Sequence, residues 1–243
     1  MCSAFGGSAF PDTSWGLVLA TGDPATQHAA FGALCSRYWR PVYVSLRRQG
    51  YAAADAEDLT QGFFLHLIEH ATVAHADRGR GRFRNFLLGA LRRFLSGDRE
   101  REQTRKRGGD RHFVEIDVSE LESHLPAHDE TLSLDLQFDR QWARTVIEHS
   151  LAALHEEYAH GGQGKVYAAL KPCLDPGAGL PDYGELARHL ARNEGAVKVA
   201  VHRLRGRFRD VLRREVARTV TDAHEVDAEL AHLRDVLAAE AAQ

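Results

Sequence analysis

Hydrophobic residues recur along most of the chain at intervals of three and four positions, the spacing that places them on one face of an α-helix. Between these segments lie short stretches rich in Gly, Pro, Asp and Asn, which are typical of turns. The sequence FVEIDV at 113–118 alternates apolar and polar residues as a strand does, but it is short and isolated. An all-α fold is therefore predicted. Its main helical segments are expected at 26–49, 51–70, 83–94, 138–158, 165–171, 182–190, 195–214 and 222–239.

Several residues are expected to interrupt or end these helices. Pro41 lies inside the segment 26–49 and predicts a kink or a local break there, because proline cannot donate the helical hydrogen bond. Gly50 follows that segment and is a C-terminal signal. Gly97 and Asp98 are expected to interrupt the third long helix.

Composition divides the chain into two predicted helical domains. The first residues are small and have little to bury, so disorder is expected there. Between 115 and 135 the chain carries acidic residues and no Lys or Arg, which indicates a flexible connector. The C-terminal helix is expected to pack on the second domain. The predicted order is a disordered N-terminus at 1–12, a first domain at 13–109, an acidic linker at 110–137, a second domain at 138–220 and a helical extension at 221–243.

The segment Pro181–Arg214 predicts a short helix, a tight turn and a longer basic helix. Asp182 is a candidate cap for the short helix, with Glu185 completing a capping box. The longer helix carries one stripe of apolar residues for packing and a second stripe of cationic residues. This layout is typical of a helix-turn-helix that binds DNA, although an ordinary surface helix rich in arginine has the same pattern. The apolar stripe is Val197, Val201, Leu204, Phe208 and Leu212, and the cationic stripe is Lys198, His202, Arg205 and Arg209.

Two other segments carry candidate chemistry. From Arg78 to Arg111 arginine alternates with phenylalanine, a combination that suits single-stranded nucleic acid because rings stack on bases while guanidiniums hold phosphates. The alternative is that the phenylalanines face the core. Asp55, Glu57 and Asp58 crowd the start of another helix. The helix dipole favours acids at that position, and an acidic face for a protein partner is the alternative explanation.

Other features argue against catalytic and metal-binding proteins. Cys2, Cys35 and Cys173 are odd in number and widely spaced, so they support neither a disulfide framework nor a thiolate metal site. His155 and His160 lie five positions apart, whereas a zinc-binding helix needs four. No nucleophile and base stand out by their spacing. We therefore expect no enzyme activity, no metal and no cofactor.

The ends and the hydropathy of the chain bear on its location. The first residues contain neither a positively charged leader nor a long apolar core, so no signal peptide is expected. No apolar run approaches the length needed to cross a bilayer. A soluble, cytoplasmic protein is therefore expected.

Three motifs together resemble a bacterial sigma factor of the sigma-70 family, of the extracytoplasmic-function (ECF) type with a short C-terminal extension. The run 55–61, DAEDLTQ, resembles the signature of region two. The run 82–88, RFRNFLL, resembles the segment that opens the promoter-melting part of region two, and 194–198, EGAVK, with His202 and Arg203 after it, resembles the recognition helix of region four.

The resemblance implies a promoter-specificity subunit with core RNA polymerase and promoter DNA as partners, through the β′ clamp helices and the β flap. The acidic linker would follow the polymerase active-site and RNA-exit path. Residues implied in polymerase binding are Asp55, Glu57, Asp58 and Gln61. Those implied in binding and melting the minus-ten element are Arg80, Arg82, Phe83, Arg84, Asn85, Phe86, Arg92 and Arg93. Those implied in binding the minus-thirty-five element are Glu194, Gly195, Ala196, Lys198, Val199, His202, Arg203 and Arg205.

The chain also departs from the family pattern. Gly62 stands where an acid is usual, Arg93 where Asn is frequent, and Val199 and Ala200 replace a common Ser-Arg pair. Some ECF groups are controlled by Ser/Thr kinases instead of anti-sigma factors, so either kind of partner is implied. Phosphorylation of Thr60 is one hypothesis, since it would restore negative charge beside Gly62. The rival interpretation from another class is a stand-alone helix-turn-helix regulator that does not bind polymerase.

Overall fold

The computed structural model describes residues 25, 27–69, 82–102, 133–175, 179, 181–220 and 222–241. Every regular element among these residues is a helix, which confirms the all-α prediction. A 3₁₀ turn at Lys171–Leu174 follows the fifth α-helix. The α-helices are α1 (Gln27–Arg48), α2 (Ala53–Glu69), α3 (Phe83–Glu102), α4 (Leu134–His160), α5 (Gly164–Leu170), α6 (Tyr183–His189), α7 (Glu194–Ala217) and α8 (Glu225–Ala241).

The chain forms two compact units, and the boundaries between them fall within helices. The first unit contains the described residues up to Thr145 together with those from Ala217 onward, and the second contains Val146–Val216. Helix α4 begins at Leu134, so the last residues of the segment predicted to be linker are helical. The remainder of that segment, including the FVEIDV stretch, lies outside the described residues. The sequence also predicts a short helix that begins at Asp12 or Thr13, and it lies outside them too.

The helices of the first unit pack around an aromatic cluster. Tyr38 of α1 stacks on Trp142 of α4 with 4.9 Å between ring centroids, and Phe83 of α3 lies 4.9 Å from the same tyrosine ring. All three side chains are buried. The aromatic side chains at the beginning of α3 therefore hold the fold together, as the alternative interpretation of that segment proposed.

Neither Pro41 nor the pair Gly97 and Asp98 breaks its helix. Helix α1 continues through Pro41, where the Ser45 hydroxyl donates a 2.6 Å hydrogen bond to the Pro41 carbonyl oxygen. Helix α3 likewise continues past Gly97 and Asp98 to Glu102. A proline or glycine inside a helix costs stability, but tertiary packing of the apolar face overrides that cost. Gly50 does follow the end of α1 with a φ of 92°, which confirms it as a C-terminal signal.

The C-terminal helix packs differently from the prediction. Helix α8 belongs to the first unit, and the prediction that it packs on the helix-turn-helix domain is wrong. Its Glu240 accepts a 2.6 Å hydrogen bond from Arg144 of α4. In the segment between α7 and α8, the Thr219 carbonyl oxygen accepts one of 2.9 Å from the Phe83 backbone N–H. The partners that hold α8 come from segments far away in sequence, so no local pattern indicates them.

The second unit forms its core from α4, α5, the 3₁₀ turn, α6 and α7. The predicted cap of α6 is present, because Asp182 Oδ1 accepts hydrogen bonds from the backbone N–H groups of Gly184 and Glu185 at 2.9 and 3.0 Å. Asn193 caps α7 in the same way, at 2.7 Å from the Ala196 nitrogen. The turn between them uses Ala191 with a φ of 51°, in the left-handed region. Gly195 is not part of this turn, because α7 begins at Glu194 and Gly195 lies in its first turn.

Candidate nucleic-acid interface

Helix α7 has two faces of opposite character. Val197, Val201 and Leu204 of the predicted packing stripe are buried in the core of the second unit, and Phe208 packs against it partly buried. Leu212 is half-buried, and Val211 takes the buried position instead. The side chains away from that core are exposed and mostly cationic. They are Lys198, Val199, His202, Arg203, Arg205, Arg207 and Arg209, and Glu194, Gly195 and Ala196 at the start of the helix are exposed too. A cationic face on the second helix of a capped helix-turn-helix is the arrangement with which such motifs enter the major groove.

Arg205 differs from its neighbours on this face. Its Nε and Nη2 donate hydrogen bonds of 3.1 and 3.0 Å to the Cys173 carbonyl oxygen in the 3₁₀ turn. Burial raises the pKa of the Cys173 thiol, while the positive charge of Arg205 and a backbone hydrogen bond act in the opposite direction. Arg205 therefore joins α7 to the 3₁₀ turn, and its guanidinium is already hydrogen-bonded inside the second unit.

Lys198 keeps its ammonium group on the surface. The Nζ atom lies 5.3 Å from the centre of the Tyr183 ring and 3.9 Å from Glu194 Oε2, and both members of this ion pair are more than half exposed. Solvent-exposed ion pairs of this kind contribute little to stability. A phosphate could therefore replace Glu194 as the partner of Lys198 at small cost.

The arginine and phenylalanine residues of α3 divide into an inner and an outer set. Phe83 is fully buried and Arg84 is only 5% exposed, so neither is available to a ligand in this structure. Asn85, Arg92 and Arg93 are exposed, and Phe86 is half-buried. Arg92 forms an exposed ion pair with Asp135. Arg80 lies outside the described residues. Phe83 and Arg84 are therefore part of the folded core in this structure, and the exposed members of the set stay candidates for direct contact with DNA.

Arg84 belongs to a network of ionic groups that sequence reasoning missed. Its Nη1 lies 2.6 Å from Asp139 Oδ1 of α4, and its Nε lies 2.7 Å from Glu229 Oε1 of α8. Arg82 Nε lies 3.0 Å from the second oxygen of Glu229, and His232 Nε2 lies 2.9 Å from the second oxygen of Asp139. Glu229 is 1% exposed. Two carboxylates from two helices thus hold one guanidinium in a buried position.

One feature of the sequence does point to this network. Glu229 follows Val226 by three positions and precedes Leu233 by four, so it lies on the apolar stripe of α8. A carboxylate on a buried stripe requires a cation, because an unpaired buried charge is strongly unfavourable. The sequence indicates that such a cation exists but does not say which arginine provides it.

Helix α2 presents its acids to solvent. Asp55 and Asp58 are exposed, Glu57 and Gln61 are half-buried, and Ala56 on the opposite side is buried against the core. The structure therefore brings the four residues predicted to bind polymerase together on one helix, with two carboxylates pointing outward.

A comparison with protein families identifies the chain. The family model for the ECF sigma factor matches residues 21–150, which are 130 of the 243 residues. The chain belongs to the ECF sigma factor family. Comparisons with curated proteins and with solved structures gave no match.

Membership assigns the protein its general role, that of a sigma factor in transcription initiation, in a family of non-enzymatic factors that work with RNA polymerase and promoter DNA. The matched residues include α1, α2, α3 and the first part of α4. They contain the acidic residues of α2 and the arginines of α3, whereas α7 lies beyond them. Among the described residues no helix has the length and the apolar character needed to span a membrane.

Two residues of α2 in this sigma factor, Gly62 and Thr60, face closely packed surroundings. A Cβ atom at Gly62 would come within 3.2 Å of the Phe94 ring of α3, so a side chain at this position would require that ring to shift by a few tenths of an ångström. Thr60 is 0% exposed, and its hydroxyl donates a 2.6 Å hydrogen bond to the Ala56 carbonyl oxygen. A kinase could reach that hydroxyl only after α2 separates from its core. The geometry does not support the phosphorylation hypothesis.

Proposed function

We propose that this sigma factor binds core RNA polymerase through the acidic face of α2 and uses the cationic face of α7 to recognise the minus-thirty-five element of its promoters. The observation that carries the proposal is the division of α7 into a buried apolar face and an exposed cationic face that begins immediately after a capped turn. An ordinary amphipathic helix also places charged residues opposite the core. Here the charges are mostly cations, and they lie on the second helix of a capped helix-turn-helix, the helix that such motifs place in the major groove.

The polymerase-binding part of the proposal rests on Asp55 and Asp58. Both are exposed and lie three positions apart, so they lie on the same side of α2. A basic helix pair on the polymerase would be attracted to them, and such complementary charges mainly raise the association rate and set specificity. Glu57 and Gln61 border this face and are half-buried.

For promoter melting, we propose fewer DNA-contacting residues in α3 than the sequence alone implied. Asn85, Arg92 and Arg93 are the exposed side chains of the α3 segment that can reach nucleic acid, with half-buried Phe86 as a candidate for stacking. Arg92 would exchange its surface partner Asp135 for a phosphate. Phe83 and Arg84 would contribute indirectly by fixing the position of α3.

A double charge reversal tests the polymerase contact. Asp55→Lys/Asp58→Lys is expected to lose binding to core polymerase while the protein stays folded, because both side chains are exposed. Glu156→Lys/Asp235→Lys is the matched control, since it produces the same change of net charge at two exposed acids elsewhere. Equal polymerase binding by both variants, measured by fluorescence anisotropy with labelled sigma factor, would contradict the proposal. It would favour a helix-turn-helix protein that acts without this contact.

A further inference from the structure

Val199 occupies the middle of the exposed face of α7. It lies two positions from both Val197 and Val201, which are buried, and a helix turns about 200° over two residues. Its side chain therefore points almost directly away from the core. Val199 is 49% exposed, and it is the one large hydrophobic residue that is exposed among the described residues.

The surroundings of Val199 are cationic. His202 and Arg203 follow it by three and four positions and are exposed, so they lie next to it on the helix surface. A single exposed apolar residue is ordinary on a protein surface. This one, however, lies in the second turn of α7, where helix-turn-helix proteins place the side chains that contact base edges. The guanidinium of Arg203 beside it attracts the phosphates that border a groove.

We propose that Val199 recognises the 5-methyl group of a thymine in the minus-thirty-five element. The inference rests on the proposed function of α7 as the helix that enters the major groove. The thymine methyl is the one apolar group that a base presents there, and the other groups are hydrogen-bond donors and acceptors. Valine has no polar atom in its side chain and can distinguish bases only by such an apolar contact.

Gly206 supports a close approach of DNA to the same face. It lies seven positions after Val199, two turns along the helix, and a Cβ atom there would meet nothing within 4 Å. Glycine inside a helix costs stability relative to alanine, and the space around this one would admit a side chain. Gly206 lines a groove of about 720 Å³ with His202, Arg203 and Arg207 on α7 and Gln163 on the facing segment. A glycine at that position leaves room for the wall of a DNA groove.

The test first selects DNA and then removes single methyl groups. Full-length protein with core polymerase selects its minus-thirty-five sequence from a random duplex library, and each thymine of the selected sequence is then replaced by deoxyuridine. One replacement is expected to weaken binding by about fourfold, the effect of losing one buried methyl group. In Val199→Ala the same replacement is expected to change binding by less than about twofold, because the shorter side chain makes less contact. The other thymines serve as controls.

A second variant tests recognition by gain of specificity. Val199→Arg is expected to select guanine at the same position, since arginine donates two hydrogen bonds to O6 and N7 of guanine. If wild type selects a defined sequence but no thymine methyl couples to Val199, the inference is wrong and the proposed function stands. If the selected sequence has no thymine on either strand, the inference is likewise wrong. If the folded complex selects no sequence at all, the proposed function fails together with it.

Discussion

Helices α3 and α7 have similar sequence patterns, an apolar stripe interleaved with arginine, yet Arg84 of α3 and Arg203 of α7 lie in opposite environments. In α3 Arg84 is buried between Asp139 and Glu229. In α7 Arg203 and Arg207 are exposed on the side away from the core. The same residue type thus stabilises the fold in one unit and forms a candidate DNA-binding surface in the other.

The difference lies in where the carboxylates are. Asp139 and Glu229 stand 55 and 145 positions after Arg84 in the sequence, and folding brings both onto it. Glu194 and Asp210 of α7 lie at the surface, and Glu215, the buried acid of this helix, stands eight positions after Arg207. An arginine-rich helix is therefore a good DNA-binding candidate only when its guanidinium groups do not form ion pairs with buried carboxylates of the same unit.

Removing Arg84 should have the largest effect on stability. Arg84→Ala leaves Asp139 and Glu229 as buried charges that have lost their shared cation, and the free energy of unfolding of the first unit is expected to fall by about 3–5 kcal/mol. Urea denaturation of the full-length protein measures this change. Arg93→Ala, at an exposed position of the same helix, is the control and is expected to change it by less than about 0.5 kcal/mol. Equal stability of the two variants would show that the buried network contributes little.

Removing Arg205 should have the next largest effect on stability. It extends the comparison to two arginines of the same helix, Arg205 and Arg209. Arg205→Ala removes both hydrogen bonds to the Cys173 carbonyl oxygen and is expected to destabilise the second unit by about 1–3 kcal/mol. Arg209→Ala removes a cation from the same helix without that contact and should leave stability unchanged. Thermal unfolding followed by circular dichroism compares the two. A larger loss of stability in Arg209→Ala would contradict the role assigned to Arg205.

Arg203 is expected to contribute to promoter binding and not to stability, the opposite of what is expected for Arg205. Arg203→Ala should leave the unfolding temperature unchanged, because its side chain is exposed, but should weaken promoter binding. The slope of log affinity against log salt concentration is expected to fall by about 1, the signature of one lost phosphate contact. Titrations at several salt concentrations measure it. An unchanged slope together with reduced stability would place Arg203 with the structural arginines.

The smallest effect is expected at Gly206, where stability and binding should move in opposite directions. Gly206→Ala is expected to stabilise α7 by up to about 1 kcal/mol, since alanine is the better helix former and the site has space. Promoter binding should nevertheless weaken. Gly97→Ala, in α3 and also without neighbours within 4 Å, is the control and should change stability alone. Unchanged DNA affinity in Gly206→Ala would exclude a close approach at this position.

The features that were predictable from sequence are those determined by neighbouring residues. The first part of the packing stripe of α7, the Asp182 cap and the outward acids of α2 depend on spacing within one or two turns, and the structure has them. Towards the end of that stripe Val211 is buried in place of Leu212. The burial of Arg84, the placement of α8 and the contact of Arg205 with Cys173 depend on segments that are distant in sequence. Glu229 on an apolar stripe was the one local sign of a buried ionic network. The Phe94 ring likewise lies close to Gly62 only because α2 and α3 pack together, so the sequence does not indicate how little room a Cβ atom would have there.

Run-off transcription tests most directly the claim that separate exposed faces on α2 and α7 act together in promoter recognition. Core polymerase with the wild-type protein on fragmented genomic DNA is expected to give discrete transcripts from a small set of fragments. Asp55→Lys/Asp58→Lys should abolish them, Arg203→Ala should reduce them, and Glu156→Lys/Asp235→Lys should leave them intact. Absence of specific transcripts with folded wild-type protein and active polymerase would contradict the account, as would full activity of the Asp55→Lys/Asp58→Lys variant.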